Sequence, residues 1–222
     1  MKKVLFVFII LTFCINSLNA QTEKTIDKKG GNIYYGKYTT EIKSEKNLPE
    51  NIQNNVKGYL NRFFPTMIDS ITFSHGQIID LGKIFKEEPK TYDRFRIIPK
   101  YELTFYLKNK SLGITNYNLE IGLDDYGQIL ETNWPKEILN FNNFKSIHEI
   151  KNIVLKHVEQ KKIEYKTYEI DLVYKKEIDN MFWIIKLHID TKGSRKEFYI
   201  IEIAWNSKDI SAEFTAYQDT LY

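Results

Sequence analysis

Four histidines, His75, His148, His157 and His188, are the imidazoles this chain has for catalysis or metal binding. A metal-binding pair on a helix recurs at i, i+4 so that both rings leave one face, and no two of these residues have that spacing. His148 and His157 are nine residues apart, about two and a half helical turns, and so point to different faces. Each histidine therefore reads as a solvated or singly hydrogen-bonded residue. Paired carboxylates occur at Glu87-Glu88 and Asp124-Asp125. Acid/base chemistry needs two such groups facing each other across a cleft, whereas neighbours on a strand point to opposite faces. The run Asp124-Asp125-Tyr126-Gly127 is better explained as a turn closed by Asx-type hydrogen bonds, and it lacks the ligand ladder of a calcium loop. No phosphate-binding glycine loop, nucleophile elbow or dinucleotide fingerprint is present, so neither cofactor nor metal is predicted. Ser70, Ser74 and Ser111 remain available to a catalytic site assembled from distant segments.

These residues sit in a chain whose start has the layout of a secretory leader. Lys2 and Lys3 precede the apolar run Val4 to Phe13, and a more polar stretch from Asn16 to Asn19 ends at Ala20. That order predicts a cleavable signal peptide over residues 1–20 and an exported protein, periplasmic or extracellular. The run is too short to span a membrane. Cys14, the only cysteine, lies in the leader, so the mature chain has no thiol for disulfides, metal or catalysis. Removing the leader takes two lysines from 32 basic residues and none of the 29 acidic ones. The near-neutral remainder gives no electrostatic case for nucleic acid or anionic membrane as partner.

Periodicity divides the rest. Residues 21–47 are polar, with Ile33, Tyr34, Tyr35 and Tyr38 as a candidate short strand. After Leu48-Pro49-Glu50, the residues Ile52, Val56, Tyr59, Leu60 and Phe63 recur at helical steps up to Pro65. Strands follow at Ile71 and Phe73, at Tyr101 to Leu107 and at Tyr117 to Leu123, with Leu81 to Arg96 read as a loop or edge excursion. A second helix is marked by Ile147, Ile150, Val154 and Val158, with Ser146 and Glu149 spaced as a capping box. Three more strands follow, at Tyr168 to Tyr174, Met181 to Ile189 and Glu197 to Trp205. The expected fold is α+β: two tandem αβββ repeats over residues 48–133 and 146–217, each helix packed on one face of an antiparallel meander.

Two of these strands carry more apolar residues than one buried face needs. If Trp183, Ile185, Leu187, Tyr199, Ile201, Ile203 and Trp205 face the second helix, then Phe182, Ile184, Phe198 and Ile200 face away and must be covered. Either the two halves pack there or the four residues form a face for a partner.

Leu48-Pro49, the helix ending in Phe63-Phe64-Pro65, Ile71, Tyr101-Glu102-Leu103 and the Asp124-Asp125-Tyr126-Gly127-Gln128-Ile129-Leu130 turn form one combination. With Phe182 to Ile185 and Phe198 to Ile203 in the second half, it resembles the PepSY-like, beta-lactamase-inhibitor-like exported bacterial proteins. The second half departs from that pattern, having no Phe-Phe-Pro ending after His157. The resemblance implies a non-catalytic module that binds or restrains another protein or peptide of the cell envelope. Two other readings stand beside it: a hydrolytic enzyme with a site built from scattered residues, and a carrier of a small apolar ligand.

Overall fold

The computed structural model describes residues 33–89 and 98–219. The leader, the start of the polar segment and the end of the Leu81–Arg96 excursion lie outside them.

Two antiparallel sheets and three α-helices make a mixed α+β fold. The first sheet holds, in order, β1 (Thr39–Ile42), β2 (Ile71–Ile79), β3 (Tyr101–Asn109), β4 (Ile114–Leu123) and β5 (Ile129–Thr132). The second holds β6 (Thr167–Lys175), β7 (Asn180–Lys192), β8 (Arg195–Ala204) and β9 (Ile210–Asp219). Helix α1 (Glu50–Phe63) precedes β2, α2 (Leu81–Glu87) follows it, and α3 (Ile147–Lys161) precedes β6.

Both predicted helices form. Pro49 takes the N-cap position of α1, and Ile52, Val56 and Leu60 make its buried stripe. In α3 the Ser146 hydroxyl accepts from the Glu149 N–H while the Glu149 side chain accepts from the Ser146 N–H, and Ile150, Val154 and Val158 are buried. The Asp124 turn is held as expected, because its carboxylate accepts from the N–H groups of Tyr126 (2.9 Å) and Gln128 (2.7 Å). Helix α1 clamps this turn: the Tyr59 hydroxyl donates to the Gly127 carbonyl and the Asn55 amide to that of Tyr126, both at 3.1 Å.

Four expectations change. Residues Ile33–Tyr38 form a 3-10 helix, and the strand lies just after it at Thr39–Ile42. The excursion after β2 contains α2, started by Asp80, whose carboxylate accepts from the Lys83 N–H at 2.9 Å. In the second half a fourth strand, β9, follows β8, so α3 leads into four strands and not three. In the first half, too, four strands follow α1.

One continuous apolar cluster joins the two halves. It takes in the inward faces of α1 and α3, of β3 and β4, and of β7 and β8. The segment between β5 and α3 closes it. Trp134 is fully buried, with its ring edge-on to Phe63 and Phe64 at 6.3 and 5.5 Å. Phe144 lies 6.2 Å from the ring of Trp183 and 5.1 Å from that of Trp205. Backbone bonds run from Leu139 N–H to the Phe63 carbonyl (2.7 Å), from Lys145 to Trp205 (2.8 Å) and from Ile147 to Leu112 (2.8 Å).

The indole N–H of Trp134 is buried without an acceptor, whereas that of Trp205 donates to Glu137 Oε1 at 3.2 Å. A buried unsatisfied donor carries a penalty of about 1–3 kcal/mol, so deleting it offsets much of the loss from a smaller ring. In urea unfolding, Trp134→Phe is therefore expected to be nearly neutral and Trp205→Phe clearly destabilising; equal losses would refute this. Gly127 has φ +79°, and a Cβ there would stand 2.6 Å from Asn55 Nδ2. Gly127→Ala is expected to lose at least about 1–2 kcal/mol, the cost of a left-handed backbone for an L side chain, by the same measurement.

Candidate functional site

Alternation along β7 and β8 gives the second sheet two apolar faces. Met181, Trp183, Ile185, Leu187, Ile201, Ile203 and Trp205 join the main core beside α3. Phe182, Ile184 and Ile200 form a separate cluster with Val173, Phe198, Ala204 and Ala216. Among the described residues every member of that cluster comes from β6–β9, so for these residues the expectation that the two halves pack there is corrected: they join through the main core and the residue 133–146 segment instead. Phe182, Ile184 and Ile200 are only 6%, 8% and 6% exposed. Polar side chains brace them. Lys175 Nζ lies 5.2 Å from the Phe182 ring centre and 2.6 Å from Glu202, Lys186 pairs with Asp171 at 3.7 Å, and the His188 ring tilts over Phe198 at 5.4 Å. Burial raises the Asp171 carboxyl above its ordinary range, against the pull of Lys186. The open part of this face is Phe214 of β9, 46% exposed and opposite Ile200 in the register.

The corresponding face of the first sheet is polar along β3, and its buried Ile79 at the end of β2 is covered by Tyr38 and by Ile84 of α2. Its β3 carries Glu102, Thr104, Tyr106 and Lys108 there, opposite the core side chains Tyr101, Leu103, Phe105 and Leu107. Gln77, Glu102, Gly122 and Glu131 stand in one cross-strand row. Gln77 donates to Glu102, whose carboxyl is raised by burial and by the nearby Glu131.

On the helix side of the second sheet, four polar groups converge. Glu213 of β9 accepts from Lys161 at Oε1, while its Oε2 takes His157 Nε2 and the Tyr199 hydroxyl, each at 2.6 Å. The Lys161 and Tyr199 bonds are the largest influences holding the Glu213 carboxyl down at about 2. An ionised carboxylate only accepts, so His157 Nε2 carries the donated proton. Burial and the neighbouring carboxylate push the Tyr199 hydroxyl up. This network ties α3 to β9. Beside it runs an open cleft of about 560 Å³, lined by Ile153, Lys156, His157 and Gln160 of α3 and by residues 208–213.

The other chemistry-bearing residues are dispersed. Ser74 Oγ lies 2.9 Å from His75 Nδ1, with no carboxylate bonded to that ring among the described residues. Ser70 and Ser111 meet at Asn109, whose side chain also accepts from the Leu112 N–H and so shapes the β3–β4 turn. His148 contacts Asn152, and His188 contacts Thr191 and the Asp190 carbonyl. Glu87 and Glu88 accept from the Tyr38 hydroxyl beside Lys37. Among the described residues, no group of three or more His, Cys, Asp or Glu is placed to hold a metal, and no helix is long and apolar enough to cross a membrane.

Sequence reasoning had separated Phe182, Ile184, Phe198 and Ile200 from the core, but not the Glu213 network. His157 and Glu213 are 56 residues apart, and no spacing rule connects them. Comparison with protein-family models, with curated proteins and with solved structures found no match.

The depressed Glu213 carboxyl fixes a pH effect. A group whose folded pKa lies below its unfolded value stabilises above the unfolded pKa, and that stability is lost as pH falls through the folded one. Between the ordinary 4.5 and about 2, the chain is expected to lose thermal stability faster than Glu213→Gln does. Parallel melting curves in circular dichroism that fall equally steeply across this window would contradict the assignment.

Proposed function

We propose that the chain is an exported, non-catalytic module that binds a protein or peptide in the cell envelope or outside the cell. The observation that carries this reading is the contrast between the two sheet exteriors: one polar, the other an apolar strip that leads to the exposed Phe214 at the edge. A polypeptide partner suits it because the strip is bracketed by both signs of charge, Lys175 and Lys186 with Asp171 and Glu202, the mixture found at a polar interface rim. The leader pattern of residues 1–20 supports export. A helix followed by an antiparallel meander, twice along the chain, supports the tandem arrangement and the PepSY-like resemblance. The partner face is centred on the half-exposed Phe214 and the partly buried Phe198, with the buried Phe182, Ile184 and Ile200 continuing the strip inward from them.

One observation favours a hydrolytic site instead: the His157–Glu213 pair opens on a cleft that Ser211 also lines. Both Glu213 oxygens are engaged by other groups as well, and Ser211 belongs to an edge strand. The cleft is open, and the Lys156, Gln160, Lys208 and Asp209 side chains in its lining suit an apolar ligand poorly.

Phe214→Ser removes the open part of the strip without entering the core. It is expected to leave the melting temperature within about 2 °C, since surface changes stay within about 0.5 kcal/mol. In pull-down from envelope extract it should lose most of the partner captured by the unaltered mature chain. Undiminished capture would remove this face from the reading.

A further inference from the structure

The two sheets treat their edges differently. The outer strands of the first sheet, β1 and β5, have four residues each, whereas β9 has ten and bonds only to β8 among the described strands. Natural edge strands are kept from pairing by shortness, proline, lysine or inward charges. β9 has no proline, lysine or arginine in its sequence, ISAEFTAYQD. Its single mid-strand charge, Glu213, is neutralised by Lys161. Alternate N–H and C=O groups of an edge strand point away from its neighbour, so β9 offers a ten-residue template.

What flanks that template differs on its two sides. Toward the helix, the cleft between α3 and the first half of β9 carries Lys156 and Lys208, neither within ion-pair distance of a carboxylate among the described residues; with Asp209 also in the lining and Glu213 paired to Lys161, one positive charge is left in excess. Toward the exterior, Phe214 ends the apolar strip with its ring half in solvent. A strand laid along β9 would send one set of side chains into the basic cleft and the alternate set beside Phe214.

We propose that β9 receives an extended peptide of alternating apolar and acidic residues as a fifth strand of the second sheet, its acidic side chains in the α3–β9 cleft. This rests on the reading of the chain as a polypeptide-binding module and specifies its mode. Main-chain bonds supply the affinity of such strand addition, and the alternate side chains its selectivity.

The test uses the mature chain and an end-blocked, fluorescently labelled decapeptide of alternating Val and Glu, with a Val/Lys decapeptide as control. The Val/Glu peptide is expected to bind at least about tenfold more tightly than the Val/Lys one, and Lys156→Glu should remove most of that preference. Neighbouring residues direct their N–H groups to opposite sides, so of Ser211→Pro and Ala212→Pro one breaks a bond to β8 and lowers the melting temperature. The other removes only an outward donor; it should keep its stability and still lose the peptide. Equal binding of the two peptides, or full binding by the stable proline variant, overturns the proposal. So does a dimer abolished by that same variant, since a second copy then occupies the edge. If the extract partner is captured and the Val/Glu peptide neither binds nor competes, the strand-addition mode falls while the binding reading stands.

Discussion

The fold depends on how residues 133–146 are gripped from both sides. Trp205 is the centre of that grip: its N–H donates to the Met181 carbonyl, its carbonyl accepts from Lys145, its indole reaches Glu137 and its ring lies on Phe144. Trp134 does the corresponding work against Phe63 and Phe64 at the end of α1. A connection between two meanders would ordinarily be free to hinge. Here its large side chains are the shared core of both halves, so hinging would expose two indoles and a phenyl ring at once. At about 25 cal/mol per Å² of apolar surface, with 150–250 Å² per aromatic side chain, that exposure opposes any separation of the halves.

Because the connector consumes the inward faces, the exteriors are left to differ. The first sheet meets solvent with a row of Gln77, Glu102, Gly122 and Glu131 and ends in short strands. The second carries isoleucine and phenylalanine in the same position, held down by Lys175 and Lys186. Long cationic side chains cover apolar surface with their stems while the charge stays wet. They make a protective cover that thins toward β9, where Phe214 stands in solvent.

The helices and the inward strand faces were legible because burial imposes a period: three or four residues at Ile52, Val56 and Leu60, and two at Tyr101, Leu103 and Phe105. The Ser146–Glu149 cap and the Asp124 turn were legible because their bonds are local. β9 was not, since an edge strand with little burial on either side shows no strong apolar alternation; its inward residues include Glu213 and Thr215. Nor was α2, whose single turn of apolar residues, Leu81 and Ile84, packs only on a small cluster with Tyr38 and Ile79. The doubled apolar face of β7 and β8 was visible as continuous apolar runs, but what lay against it was a tertiary question. The Glu213 network had no sequence signal, because its four members lie on three elements.

That network also bears on what chemistry remains. A carboxylate held ionised by a lysine, a tyrosine and a histidine is a good strut and a poor base, since protonating it means giving up bonds that all favour the charged form. The histidine bonded to it is oriented but faces no nucleophile bonded to its other nitrogen among the described residues. Lys161, His157, Tyr199 and Glu213 thus fasten β9 to α3 and β8. Fastening has its own consequence: it anchors a long edge strand to a helix, with a cleft between them. A strand so held has its backbone groups preorganised, and preorganisation lowers the ordering cost of binding. Under the strand-addition mode proposed above, these polar side chains serve structure and the main chain of β9 is the recognition element.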